Sequence, residues 1–238
     1  MVAIGNFLFK YRNALFPLVF ILCFFNVWPT FPDSRVEMGG MIAGIAIALL
    51  GQLVRAVTIG LAYIKRGGKD KKVYAETLVS EGIFSHCRNP LYLGNLLIIV
   101  GVGIASNSLL FVIVGLPMFF FSYAAIIAAE EDFLRGKFGP EYDGYCQRVP
   151  RLIPNLTGIG ATLQSMEFHW KRLIVKEYST AYSWMAGITI LIAKNRYWES
   201  GRQLTRSEIL CLGTVFAVVT LAFLIAWMLK KTKLVRAN

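Results

Sequence analysis

The sequence predicts an all-α, polytopic integral membrane protein, and three features carry that expectation. Of 238 residues, 56% are hydrophobic and only 16% are charged, whereas a soluble domain carries about a quarter charged. Five apolar stretches reach or approach the roughly 20 residues that cross a hydrocarbon core. The lysines and arginines fall in blocks between those stretches, as topology signals do. A net charge of +11 would suggest nucleic acid in a soluble chain. In this pattern it suits anionic lipid headgroups, and no nucleic-acid partner is expected.

The first stretch runs from Ala14 to Trp28 and stops in the aromatic and proline-rich Trp28-Pro29-Thr30-Phe31-Pro32. The second runs from Met38 to Ile64. The third starts at Pro90 and reaches Ala105, where Ser106-Asn107-Ser108 predicts a tight turn. The fourth spans Leu109 to Ala129, with Pro117 as an expected kink. The fifth strong stretch is Ile209 to Leu229. Tyr178 to Ala193 is shorter and more polar, so it is either a further span or an interfacial segment. Six spans with a cytoplasmic N-terminus place Lys10, Arg12, the Lys65–Lys72 run, Arg88, the Arg135–Lys176 stretch and the Lys230–Arg236 tail inside. Arg35 and the four basic residues of the 194–206 loop then lie outside, and that loop is the weak point of the assignment. Residues 161–177 read as a basic amphipathic surface helix, with Met166, Trp170, Leu173 and Ile174 on one face.

Cys23, Cys87, Cys146 and Cys211 show no metal-binding or disulfide spacing, and no metal site is expected. No cleavable signal peptide is expected either. Gly101–Ser106, "GVGIAS", lies inside a span and follows no strand, so it is not a dinucleotide loop.

Three groups of polar residues stand out. Arg55 lies inside the second stretch, where an ionisable group needs a partner or a wet cavity; snorkelling to the interface is the plainer alternative. Glu130 and Glu131 close the fourth span. Adjacent helical residues diverge by about 100°, so one carboxylate can face inward and the other solvent. After them, Phe138, Gly139, Tyr142, Tyr145, Pro150 and Pro154 recur at regular intervals, with Tyr142 and Tyr145 on one helical face. The third group, Arg88-Asn89-Pro90, opens the third span. Pro90 suits a first helical turn, and Arg88 and Asn89 sit at its positive end. A hairpin of spans three and four brings Arg88, Asn89 and Tyr92 beside Glu130, Glu131 and the tyrosines. That set suits a small ligand carrying an amino group, a carboxylate and an aromatic base.

Two blocks in order carry a resemblance. The first is Gly82, Ile83, Phe84, Arg88, Asn89, Pro90, Tyr92 and Gly94. The second is Glu130, Glu131, Leu134, Phe138, Gly139, Tyr142, Tyr145, Val149, Pro150, Ile153 and Pro154. With Arg55 in the preceding span, this resembles the membrane methyltransferases that include isoprenylcysteine carboxyl methyltransferase and the phospholipid N-methyltransferases, over residues 40–155. The resemblance implies S-adenosylmethionine as cofactor and a lipophilic or lipid-like acceptor entering from the bilayer. It implies Arg88 and Glu131 as catalytic residues. It implies a cofactor site made of Arg88, Asn89, Pro90, Tyr92, Gly94, Glu130, Glu131, Tyr142 and Tyr145 on the cytoplasmic side, with Arg55 toward the acceptor. Asn89 stands where the family pattern has histidine, and an amide cannot titrate near neutral pH.

The expected organisation is therefore an N-terminal span over 1–38, a methyltransferase core over 39–155, and a C-terminal extension over 156–238. That extension holds an interfacial helix and one or two spans, and its helices offer a homodimer contact. Two other readings stand beside this one. A membrane reductase using NADPH would share Lys137–Gly139, Tyr145-Cys146 and Val149-Pro150. A non-catalytic scaffold or a transporter is the other, although no inverted repeat supports a transporter.

Overall fold

Long apolar runs without internal breaks become long helices. The computed structural model describes residues 1–24, 30, 34–62, 75–201 and 203–232, and among these there is no strand. The helices are α1 (Val2–Phe24), α2 (Ser34–Leu61), α3 (Pro90–Ala105), α4 (Leu116–Phe138), α5 (Pro140–Arg148), α6 (Ile159–Ser165), α7 (Trp170–Glu199) and α8 (Arg206–Lys231). The Trp28–Pro29 stop, the Lys65–Lys72 run and the end of the basic tail lie outside the described residues. By length and composition, α1, α2, α8 and the continuous 111–138 segment can each cross a membrane, and α3 is a shorter apolar helix.

Two features that favour bending mark the fourth span, where a kink was expected. Phe111–Gly115 forms a π-helical turn directly ahead of α4, and Pro117 sits in the first turn of α4. A proline removes a backbone donor and a π turn shifts the ladder, so both bend a helix. The predicted turn before it forms as expected. Asn107 adopts φ 52°, and the buried Ser106 hydroxyl donates to the Gly103 carbonyl.

The helices of the α3–α4 hairpin each pack more extensively on another helix. α3 packs most extensively on α2, and α4 on α1, while α3 and α4 touch far less. Small residues explain the first pair. A side chain at Gly101 would stand 2.4 Å from the Gly44 carbonyl oxygen, and one at Gly51 would stand 2.6 Å from that of Gly94. The two backbones therefore approach as only glycine permits. Aromatic packing explains the second. Phe16, Phe20 and Phe24 of α1 meet Phe111, Phe119 and Tyr123.

The reading of 161–199 is corrected by the structure. The surface helix expected over 161–177 is split: α6 ends at Ser165, and the chain crosses the end of α2 over 166–169. There the Phe168 ring covers Gly60, and the His169 amide donates to the Gly60 carbonyl at 2.8 Å. From Trp170 a single helix runs to Glu199. Its buried side is not the expected apolar one. Trp170 is 67% exposed, while Arg172 and Glu177 are buried. Lipid inverts the usual pattern, because apolar groups face the bilayer and polar groups turn inward.

α7 runs the height of the bundle. Near its start Glu177 meets Arg55 of α2, and near its end the Asn195 amide donates to the Ser106 carbonyl at 3.0 Å. Those two residues are about 27 Å apart along a helix. α7 therefore passes through the layer that α3 passes through, although it is too polar to be recognised by hydropathy. Lys194 and Arg196, which made the 194–206 loop look wrongly basic, are engaged in the fold. Lys194 donates to the Phe24 carbonyl at 3.0 Å, and Arg196 lies 3.6 Å from Glu199. α8 packs on α7 through Phe223, which stacks on Tyr178 and Tyr182, and buries none of its own residues.

Candidate functional site

The ends of α3 and α4 converge at one end of the bundle. Pro90 occupies the first turn of α3, and Asn89 precedes it with φ −129° and no side-chain cap. The Asn89 amide instead donates to the Arg151 carbonyl at 2.9 Å. At the joint of α4 and α5, Gly139 adopts φ 52°, ψ −127°, which a side chain resists. That turn folds α5 back so that Tyr142 and Tyr145 are buried, their rings 6.1 Å apart.

Glu131 is the centre of the site. It is 8% exposed and lies between two guanidinium groups. Arg151 approaches it with Nε at 3.1 Å and Nη2 at 2.5 Å, and Arg88 Nη1 lies 3.2 Å away. Bidentate arginine–carboxylate contact is among the stronger charge-assisted geometries. Arg88 Nη1 also reaches the Cys146 sulfur at 2.7 Å, and its backbone amide donates to the Pro150 carbonyl. Among the described residues its Nε is buried without a hydrogen-bond partner. Burial lowers the Arg88 pKa, but the Glu131 carboxylate, Cys146 and Tyr142 outweigh this and leave it raised. The Tyr142 phenol is pushed well above its ordinary value, first by burial and then by the charge of Glu131. Arg151 is half exposed, so the cluster opens toward water on that side.

Glu130 points elsewhere, as the 100° divergence requires. It accepts from the Tyr92 hydroxyl at 2.5 Å, and the Tyr92 ring packs 5.5 Å from that of Tyr123. Tyr123 in turn lies beside Asn95. Asn95 Oδ1 accepts from Arg55 Nη1 at 2.5 Å. Arg55 is the next pole of the site. Its Nε donates to Glu177 at 3.0 Å, its Nη2 bonds the other oxygen of that carboxylate, and its Nη1 also approaches the Leu91 carbonyl at 3.4 Å. Gln52 donates to Glu177 at 2.9 Å and accepts from the Trp184 indole at the same distance. The nineteen residues between Arg35 and Arg55 span about 30 Å of helix, one hydrocarbon thickness. Arg55 lies six residues before the end of α2 at Leu61.

Of the residues singled out in the sequence, Arg88, Asn89, Tyr92, Glu130, Glu131, Tyr142 and Tyr145 come together at this end. Several contacts differ from those anticipated. A Cβ on Gly94 would meet Arg55 Cγ at 2.4 Å and the Gly51 oxygen at 2.8 Å, so the structure gives Gly94 a packing role. The Tyr145 hydroxyl donates to the Phe84 carbonyl at 2.8 Å. His86 is held between the Asn155 carbonyl and the Thr162 hydroxyl. Sequence reasoning missed Arg151, Cys146, Asn95 and Glu177. Arg151 had one signal, its place between Val149-Pro150 and Ile153-Pro154. Glu177 had none, because its partner lies 122 residues away.

The family profile for phospholipid methyltransferase matches residues 38–141. The chain is also 33% identical over 162 residues to the cobalt-zinc-cadmium resistance protein CzcN of Cupriavidus metallidurans, covering 65% of this chain and 69% of that protein. The chain belongs to the phospholipid methyltransferase family. The nickel-cobalt-cadmium resistance protein NccN of Alcaligenes xylosoxydans is 34% identical over 118 residues, covering 50% of this chain and 49% of NccN. Protein-S-isoprenylcysteine O-methyltransferase B of Arabidopsis thaliana is 26% identical over 156 residues, covering 64% of this chain and 79% of that enzyme. No solved structure matches the chain. This phospholipid methyltransferase family member carries Arg55, Arg88 and Glu131 inside the profile match. Tyr142, Tyr145, Arg151 and Glu177 lie beyond its end. Membership supports membrane methyltransferase activity.

Proposed function

We propose that this protein transfers a methyl group from S-adenosylmethionine to a lipophilic acceptor that enters from the bilayer. One observation carries the reading: a buried carboxylate held between two guanidinium groups, Glu131 between Arg88 and Arg151. Opposite charges about 3 Å apart match a zwitterionic amino-acid tail. Its ammonium can take Glu131, and its carboxylate can take an arginine. The buried, unpartnered Nε of Arg88 adds a donor ready for that exchange. Tyr92 and Tyr142 supply aromatic surface beside it, and half-exposed Arg151 gives a path from water. The donor set therefore fits the cofactor that the family implies.

When bound, S-adenosylmethionine supplies a methyl group already activated on a sulfonium. The residues of the chain are left to position and desolvate. Glu131 holds an ammonium, and Arg88 and Arg151 hold a carboxylate. Asn89 acts indirectly, through its bond to the Arg151 backbone. The acceptor approaches on the Tyr92 and Tyr123 side, at the level of Arg55. The basic residues at this end favour a cytoplasmic site.

The experiment is transfer of labelled methyl from S-adenosylmethionine into a membrane lipid extract by the detergent-purified protein. Label is expected in an organic-soluble product with wild type and at least tenfold less with Glu131→Gln. Equal labelling by the folded variant would overturn the assignment of Glu131.

A further inference from the structure

We propose that the end of the bundle away from Glu131 binds a hard divalent cation through Glu37, Glu199 and Asn195. Three helix ends meet there. α2 begins beside the end of α3, where a side chain on Gly40 would stand 3.8 Å from the Ile104 carbonyl oxygen. α7 ends at the same level, since the Asn195 amide donates to the Ser106 carbonyl at 3.0 Å. Glu37, in the first turn of α2, lies against Glu199 of α7. Asn195 precedes Glu199 by four residues, so the two share a helical face.

This end is rich in acceptors and short of donors. Glu37 is 7% exposed and Asn195 is 1% exposed. Among the described residues, Glu37 Oε2 and Asn195 Oδ1 are buried without a hydrogen-bond partner. A buried acceptor left in that way destabilises the fold unless something meets it. The charges that act on Glu37 are those of Glu199 and Arg196. Arg196 Nη1 lies 3.6 Å from Glu199, and Lys194 is turned to the Phe24 carbonyl. The start of α2 carries a positive helix end, while the ends of α3 and α7 are both negative. Two carboxylates and two negative helix ends thus outweigh one guanidinium and one positive end. A shared proton would join the carboxylates but leave the Asn195 oxygen unmet, whereas one cation takes all three groups. Among the described residues no three His, Cys, Asp or Glu side chains gather at one metal. The set here is two carboxylates and an amide, all oxygen, which selects calcium or magnesium over softer metals, with water completing the shell. The Glu199 side chain is partly exposed and gives the ion a way in. The ion would tie the start of α2 to the end of α7.

The test measures labelled-calcium binding and thermal unfolding of the full chain in a neutral detergent, in calcium or in EDTA at equal ionic strength. Wild type is expected to bind about one ion per chain and to melt several degrees higher in calcium. Glu37→Gln keeps the shape and removes one charge. It is expected to lose the ion, to melt alike in both buffers, and to melt no lower than wild type in EDTA. A purely structural contact would lower the melting temperature in the variant without any calcium dependence in wild type. Glu199→Gln, at the partly exposed side, is expected to lose the ion as well, and it decides the matter if Glu37→Gln does not fold. Absence of calcium binding by wild type, or calcium binding retained in the folded variants, would overturn the proposal. So would stabilisation of wild type by mild acid and not by calcium, which would assign the two carboxylates to a shared proton.

Discussion

Glu131 and Tyr142 carry the residue-scale expectations. Glu131→Gln keeps the shape and removes the charge that faces two arginines. One charge-assisted contact is worth about 1.5–3 kcal/mol, so S-adenosylhomocysteine affinity should fall roughly tenfold to a hundredfold, read by calorimetric titration. Tyr142 has its pKa raised by burial and by Glu131. Its neutral form is favoured in the fold. The stability it contributes is full below the unfolded tyrosine value of about 10 and is lost as pH rises through the raised folded value. Alkaline difference absorbance should therefore find Tyr142 silent near that ordinary value, and Tyr142→Phe should leave the titration there unchanged. A smaller amplitude in the variant would contradict the burial argument. At this scale the site was legible wherever neighbours are close in sequence or share a motif. Arg88, Glu131 and the two tyrosines fell out of spacing and charge at span ends. Arg151 and Cys146 were not legible in that way, because their partners are set by the turn at Gly139 and the return of the chain at Pro150.

Helix pairing decides the element scale. Gly94→Ala would place a methyl 2.8 Å from the Gly51 oxygen and 2.4 Å from Arg55 Cγ. Overpacking of this kind costs about 1–3 kcal/mol, so the apparent melting temperature in detergent should fall, and activity should fall with it because Arg55 moves. Removing one member of the Arg55–Glu177 pair is more severe. Glu177→Ala leaves a buried guanidinium unmatched, at a cost of about 3–5 kcal/mol, whereas Arg55→Gln/Glu177→Gln should recover most of the loss. A double variant no more stable than Glu177→Ala would show that the pair is not what couples α7 to α2. The apolar helices were legible because lipid demands continuous hydrophobic runs. α7 was misread as a surface helix plus an uncertain span, because its polar residues satisfy partners inside the bundle. Periodicity alone cannot separate a residue facing protein from one facing water.

At the scale of the whole molecule, α7 links the C-terminal helices to the core through Arg55–Glu177 at one end and Asn195–Ser106 at the other. If α3 and α7 cross along with the four long apolar helices, the chain returns to the side from which it starts. Reporter fusions at the two ends of the chain should therefore register the same compartment; opposite compartments would remove α7 as a pass. Fold class was legible from composition, block charge and the long continuous apolar runs, which satisfy their backbone groups in lipid as helices. The α3–α4 hairpin brings its ends together as expected, whereas the extensive pairing of α3 with α2 depended on small residues meeting across distant segments, which one sequence does not display. The central claim is that the Arg88–Glu131–Arg151 cluster receives a zwitterionic cofactor. It is tested most directly by the thermal shift of the detergent-purified protein with S-adenosylhomocysteine and, separately, with NADPH. Ligand at a hundred times its dissociation constant stabilises by about 2.7 kcal/mol. Stabilisation by S-adenosylhomocysteine alone, lost in Glu131→Gln, is the expected result. Stabilisation by NADPH alone, or by neither ligand in a demonstrably folded protein, would contradict it.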